Sequence, residues 1–179
     1  FIDGGKSRPC VFTAEGLGHG HNVRNLLHLQ ALGAMERVLI DQEAGWETAE
    51  VLQGDGSPEA PFAIPGLPFA DLRDTNHSSH LNLDTYTGCA AEQDESGPEL
   101  LYRLELTETT HLRAMVFDRG TVDIDLHLLD DSATEEGCLA RGHRIVEGPL
   151  EPGTYHFSLD TFVAGGQELG GEYLFVLLE

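Results

Sequence analysis

The sequence predicts a mainly β protein: an antiparallel β-sandwich of jelly-roll or immunoglobulin-like type, preceded by a short α-helical segment. Three observations carry this. Apolar residues recur with a period of two, not 3.6, through most of the second half of the chain. Turn signals at Asp118-Arg-Gly120, Glu151-Pro-Gly153 and Gly165-Gly166 separate those alternating runs. The last run, Tyr173–Leu178, is apolar on both faces. That suits a strand in the middle of a sheet and not one at its edge.

Taken in order, residues 1–53 hold the helical segment, read as the tail of an upstream domain or a cap on the sandwich. The helix starts after Gly18-His-Gly-His, with Asn22 as N-cap, and runs to about Arg37. Val23, Leu26, Leu27, Ala34 and Val38 fall near one face at helical spacing. Residues 54–68 contain four of the eight prolines and three glycines, and read as a linker. The sandwich then occupies 69–179. Tyr102, Leu104 and Leu106 alternate with Arg103 and Glu105; Leu112, Ala114 and Val116 with Arg113 and Met115. Val122, Ile124, Leu126 and Leu128 alternate with Asp123, Asp125 and His127. Tyr155, Phe157 and Leu159 alternate with His156, Ser158 and Asp160. Such alternation marks strands with one face in the core and one face wet.

Composition narrows the classes of function. With 179 residues and 40% hydrophobic content the chain can bury a real core. Ten Lys and Arg against 31 Asp and Glu leave a formal charge of −21, which repels nucleic-acid phosphates and anionic membranes and favours cations. No apolar run approaches the roughly 18–20 residues of a membrane span, so no membrane insertion is expected. Phe1-Ile-Asp-Gly-Gly-Lys lacks the basic and apolar regions of a signal peptide, which reads as a mature product or a piece of a longer protein. Three cysteines are present. Cys89 and Cys138 both lie in polar loops beside predicted strands and are expected to pair, closing a loop worth roughly 4 kcal/mol in the chain-entropy model. Cys10 is then left over; the alternative is three reduced thiols in a cytosolic protein.

Four pieces in sequence order resemble the bacterial pre-peptidase C-terminal domain, a β-sandwich trailing secreted peptidases and other exported hydrolases. They are Leu101-Tyr-Arg-Leu-Glu-Leu106, Val122-Asp-Ile-Asp-Leu-His-Leu128, Leu150-Glu-Pro-Gly-Thr-Tyr155 and Gly171-Glu-Tyr-Leu174. Asp94-Glu-Ser-Gly-Pro-Glu99 with its flanking cysteines is similar to versions in large secreted proteins of predatory and marine bacteria. The resemblance covers about residues 69–179 and implies a secreted or cell-surface, non-catalytic module. It leaves residues 1–60 unassigned.

Candidate chemistry lies mostly in the carboxylates. Asp71 and Asp74 at the linker exit, Asp94, Glu95 and Glu99 before the first long strand, and Asp123, Asp125, Asp130 and Asp131 along the central one are candidate calcium ligands. Calcium takes six to eight oxygens in irregular geometry, and a cation relieves the repulsion of carboxylates that folding brings together. Collagen-binding modules related to the resembled family use calcium near the linker. The competing reading is a plain solvated acidic face. His19, His21 and His28 bracket the helix start and could hold zinc with a water, although no H-E-x-x-H signature is present. His77, His80, His111, His127, His143 and His156 fall on predicted wet faces or loops. No Gly-x-Ser-x-Gly elbow occurs, so no catalytic residue is assigned.

The leading expectation is therefore an accessory module of an exported peptidase or cell-wall hydrolase. Its partner is an extracellular polymer, protein or polysaccharide, or the parent catalytic domain, with calcium as the candidate cofactor. One alternative places part of a zinc-dependent hydrolase site in residues 1–53. Another is a structural surface or matrix protein.

Overall fold

The computed structural model describes residues 52–179. The expected helix, Cys10 and the histidine trio His19, His21 and His28 lie outside the described residues.

Eleven strands are present among the described residues. They are β1 (Phe62–Ala63), β2 (Phe69–Asp74), β3 (Leu100–Leu106), β4 (Thr110–Phe117), β5 (Ile124–Leu129), β6 (Cys138–Gly142), β7 (Ile145–Leu150), β8 (Gly153–Thr161), β9 (Val163–Ala164), β10 (Gln167–Glu168) and β11 (Glu172–Leu178). No α-helix occurs among these residues; two short 3-10 turns sit at Thr75–His77 and Thr87–Cys89. One sheet has the order β1-β3-β8-β5-β6 and the other β2-β11-β4-β7, with a small β10-β9 hairpin beside them. The ladders of the two main sheets are antiparallel except for β1, which runs parallel to β3.

The sandwich forms because one face of each sheet is apolar. Tyr102 and Leu104 of β3, Leu126 and Leu128 of β5, and Phe157 and Leu159 of β8 meet Ala114 and Val116 of β4 and Tyr173, Phe175 and Leu177 of β11 in one core. These are the inward residues that the period of two predicts. Strand β11 lies between β2 and β4, as its two apolar faces require. The ring of Phe175 is 6.2 Å from Phe69, 4.9 Å from Tyr102 and 5.5 Å from Phe157, spacings that suit tilted and edge-on aromatic packing. The β9–β10 turn is Gly165-Gly166, with φ of +59° and +83°, the left-handed pair that a two-residue hairpin needs.

Residues 54–68 pack onto the sandwich. Phe62 and Ile64 enter the core, Ile64 donates its N–H to Arg103 at 2.9 Å, and Leu101 donates to Gly56 at 2.9 Å. Asp71 and Arg73 of β2 point inward as well. The Arg73 guanidinium lies 3.7 Å from the centre of the Phe62 ring, and Tyr102 reaches Asp71 Oδ2 at 3.1 Å and Tyr173 at 3.0 Å.

The outer face of the five-stranded sheet is covered. Residues 78–99 form a strap across it, with Leu83, Tyr86 and Ala91 packed on Leu101, Leu129 and Cys138. A Cys89–Cys138 disulfide, with Cα atoms 5.2 Å apart, clamps the strap to β6. At Gly88 the two backbones come so close that a Cβ would sit 2.2 Å from the Glu136 carbonyl oxygen, so only glycine fits. Glu135 completes the join: its side chain accepts the N–H of Asp84 at 2.9 Å, and its carbonyl accepts that of Gly88 at 3.0 Å.

A Cys89→Ser/Cys138→Ser protein should lose about 4 kcal/mol of stability, from the 49-residue separation of the crosslink. Equilibrium denaturation checks the loss. Amide exchange should show the strap opening ahead of the strands; equal protection in the two proteins would mean that side-chain packing alone holds it.

Candidate functional site

Under the strap the side chains of β5 and β8 form a polar layer. Asp125 is paired across the ladder with Asp160, and His127 with Ser158 on one side and Arg141 on the other. The sequence reading puts Asp125, His127, Ser158, Asp160 and His156 on a wet face; the structure buries them all. The correction has a simple cause. Alternation tells which side chains share a face, and the strap then covers that face.

The enclosed layer is crowded with carboxyls. Glu95 and Glu99 come down from the strap, both fully buried, to join Asp125 and Asp160. Arg141 Nη2 donates to Asp125 Oδ2 and lies 3.4 Å from Glu95 Oε1. The Tyr86 ring stacks on His127 with centroids 3.5 Å apart, and its hydroxyl is hydrogen-bonded to Asp160 Oδ2 and 2.9 Å from Ser158 Oγ. Glu99 Oε1 accepts the Asn82 N–H at 3.0 Å.

One guanidinium cannot balance four carboxylates in a dry layer, so protonation changes instead. Burial pushes Glu95 up to about 8, helped by the adjacent Asp125 carboxylate and opposed by Arg141. Burial also carries Asp160 well above the carboxylate range, against the Tyr86 hydrogen bond, and raises Glu99. His127 is held neutral, its value lowered to about 3 chiefly by burial.

At the margin of this layer a different group meets. Asp123 precedes β5, Asp125 lies within it, and His143 occupies the turn from β6 to β7. His143 Nδ1 is 3.1 Å from Asp125 Oδ1 and 3.2 Å from Asp123 Oδ1. One ligand atom from each of the three lies within 4.8 Å of the others, an arrangement that could hold a metal ion. Burial raises the Asp123 pKa, against the nearby His143. Among the described residues this is the group of three such side chains that converges.

The other proposed calcium ligands are dispersed. Asp71, half-buried, pairs with Arg73 at 2.5 Å and accepts from the Tyr102 hydroxyl. Asp74 accepts the Asn76 N–H at 2.9 Å and caps the first 3-10 turn. Asp94 and Asp130 close local turns with Ser96 and Ser132, and Asp131 is exposed in the β5–β6 turn. Glu95 and Glu99 are enclosed by the strap. Sequence reasoning assigned His143 to a wet loop. It lies 18 residues from Asp125, and only the β5–β6 pairing and the following turn bring the two together.

No protein-family model matches the chain, and no curated protein matches it. Among solved structures it is similar to the pre-peptidase C-terminal domain of a collagenase from Bacillus anthracis, at 12% identity and a TM-score of 0.42, covering 64% of this chain and 91% of that one. That is the domain type which the strand motifs resemble. It is also similar to CBM35 from Cellvibrio japonicus Abf62, at 12% identity and a TM-score of 0.32, over 62% of this chain and 94% of that one. A third match is a Paenibacillus cycloisomaltooligosaccharide glucanotransferase complexed with cycloisomaltoheptaose, at 15% identity and a TM-score of 0.29, over 68% of this chain and 20% of that one.

The enclosed layer has a pH signature. Glu95 ionises near 4.5 when unfolded and near 8 when folded, so the stability tied to its proton is complete below 4.5 and is lost as pH rises towards 8. His127 acts in a lower window: it takes a proton near 6.5 when unfolded but stays neutral to about 3 when folded, so stability falls as pH drops from 6.5 towards 3. Between pH 6.5 and 8 the His127 effect no longer varies, while the raised Glu95 and the raised Asp160 both tie stability to a proton and lower it as pH rises. The Glu95 share of that fall should be up to about 1.4 kcal/mol per pH unit. Glu95→Gln should remove that share and reduce the slope in a denaturation series; an unchanged slope would assign it to another group, Asp160 first.

Proposed function

We propose that this chain is a non-catalytic, secreted or cell-surface accessory module of an exported bacterial hydrolase, a peptidase or cell-wall hydrolase. It would hold an extracellular protein or polysaccharide, or the surface of its parent enzyme. The observation that carries this reading is the clamped strap. Glu95, Asp125, His127 and Asp160 are the side chains that acid–base chemistry would call on, and each is at most 2% exposed. A general acid or base must come within hydrogen-bond reach of its substrate, and these are shut away from one.

Two further features support it. The disulfide supports an oxidising compartment outside the cytoplasm, where such bonds persist. The charge of −21 favours solubility and cationic partners over phosphate backbones. With the outer face of the five-stranded sheet closed by the strap, a partner meets loops, strand edges and the margin where Asp123 and His143 lie. Contacts of that kind are individually weak and gain strength when a module is tethered beside a second binding or catalytic unit.

The test is sedimentation of the purified chain with insoluble collagen, peptidoglycan, chitin and cellulose, alongside hydrolysis assays on the same materials. Saturable retention on one polymer, with no turnover, is the expected result. Hydrolysis by the chain alone, abolished by substituting one of its own residues, would overturn the reading. So would failure to bind every polymer and every catalytic domain encoded beside it.

A further inference from the structure

The geometry points to a structural site for a borderline first-row divalent cation, zinc being the best match, formed by Asp123, Asp125 and His143. This goes beyond the accessory-module reading and does not depend on it. The site would tie the entry to β5 to the turn that joins β6 and β7.

The argument begins with the histidine. One ring nitrogen faces two carboxylate oxygens, at 3.1 Å and 3.2 Å. A single Nδ1–H can serve only one of them. It bonds to Asp125 Oδ1, and Asp123 Oδ1 is left buried with no hydrogen bond among the described residues. If Nδ1 instead presents its lone pair, all three atoms become donors towards a common point. Ligands held at zinc's usual distance of about 2.0–2.1 Å lie about 3.3 Å from each other in a tetrahedron. The two nitrogen-to-oxygen spacings are close to that edge. His143 is 52% exposed at the side chain, so water can supply the fourth ligand.

A second observation concerns the buried side of Asp125. Glu95, fully buried, sets its carboxyl against that of Asp125 on the inner side of the site. Arg141 supplies one positive charge on the Oδ2 side of Asp125, which leaves Oδ1 directed at His143. The arrangement resembles an outer shell that orients a ligating carboxylate.

The donor set also selects the ion. Calcium, expected from the sequence, takes hard oxygen ligands, six to eight of them. Here an imidazole nitrogen sits at the centre of a set with two carboxylates. Imidazole suits zinc, copper, iron or nickel.

The experiment uses the full chain, stripped with chelator and then titrated calorimetrically with zinc chloride alone and with calcium chloride alone. One zinc per chain should bind and raise the melting temperature, with no comparable effect of calcium. His143→Ala and Asp123→Asn alter partly exposed positions and should leave metal-free melting little changed. Each should weaken zinc binding by no less than the roughly 10–100-fold that loss of an outer-shell partner costs and remove the melting shift. His19→Ala should change neither. The proposal fails if zinc does not bind, if it binds equally well to His143→Ala, or if calcium gives the same Asp123-dependent stabilisation.

Discussion

The clamp of the 78–99 strap onto the five-stranded sheet is the constraint on which the rest of the polar architecture depends. The core between the sheets forms from inward apolar side chains and does not require the strap. The opposite face of that sheet carries Asp125, His127, Ser158 and Asp160, which water would otherwise solvate. Covering them costs desolvation energy. The offset comes from Tyr86 stacked on His127, from Leu83 and Ala91 on Leu101 and Leu129, and from a crosslink that restricts the unfolded chain. Gly88 allows the approach, because any side chain there would strike the backbone near Glu136.

The same cover explains how a chain of charge −21 tolerates carboxyls in its interior. Within the enclosed layer, charge is removed more than it is paired. Glu95 and Asp160 are pushed towards their neutral acids and His127 towards its neutral base, while Arg141 meets the charge of Asp125. At the rim the balance differs. Asp123 and His143 keep contact with solvent while touching the buried layer through Asp125. The enclosed groups thus serve folding, and the rim is where an ion or partner can reach the molecule.

Much of the sandwich was legible along the chain. The inward sets Tyr102/Leu104, Leu126/Leu128 and Phe157/Leu159 follow from alternation, because successive strand side chains point to opposite faces. The central place of β11 follows from its apolar character on both sides. The Cys89–Cys138 bond could be proposed because both cysteines read as lying in polar loops beside strands, although Cys138 in fact opens β6. The candidate site was legible only in part: Asp123 and Asp125, two apart, could be singled out, but His143 carries no local signal. Phe62 and Ile64 were hidden differently, by a Pro/Gly composition that reads as a tether even though two of its side chains fill the core.

By itself, then, the sequence determined the alternating strands β3, β4, β5 and β8, which of their side chains share a face, and the acidic excess, because these depend on neighbours one or two residues apart. Tertiary structure alone decided that the wet parity of β5 and β8 would be roofed over, and that His143 would meet Asp123 and Asp125. Both outcomes depend on segments far apart in the chain, and nothing in the local period of a strand encodes what will lie above it.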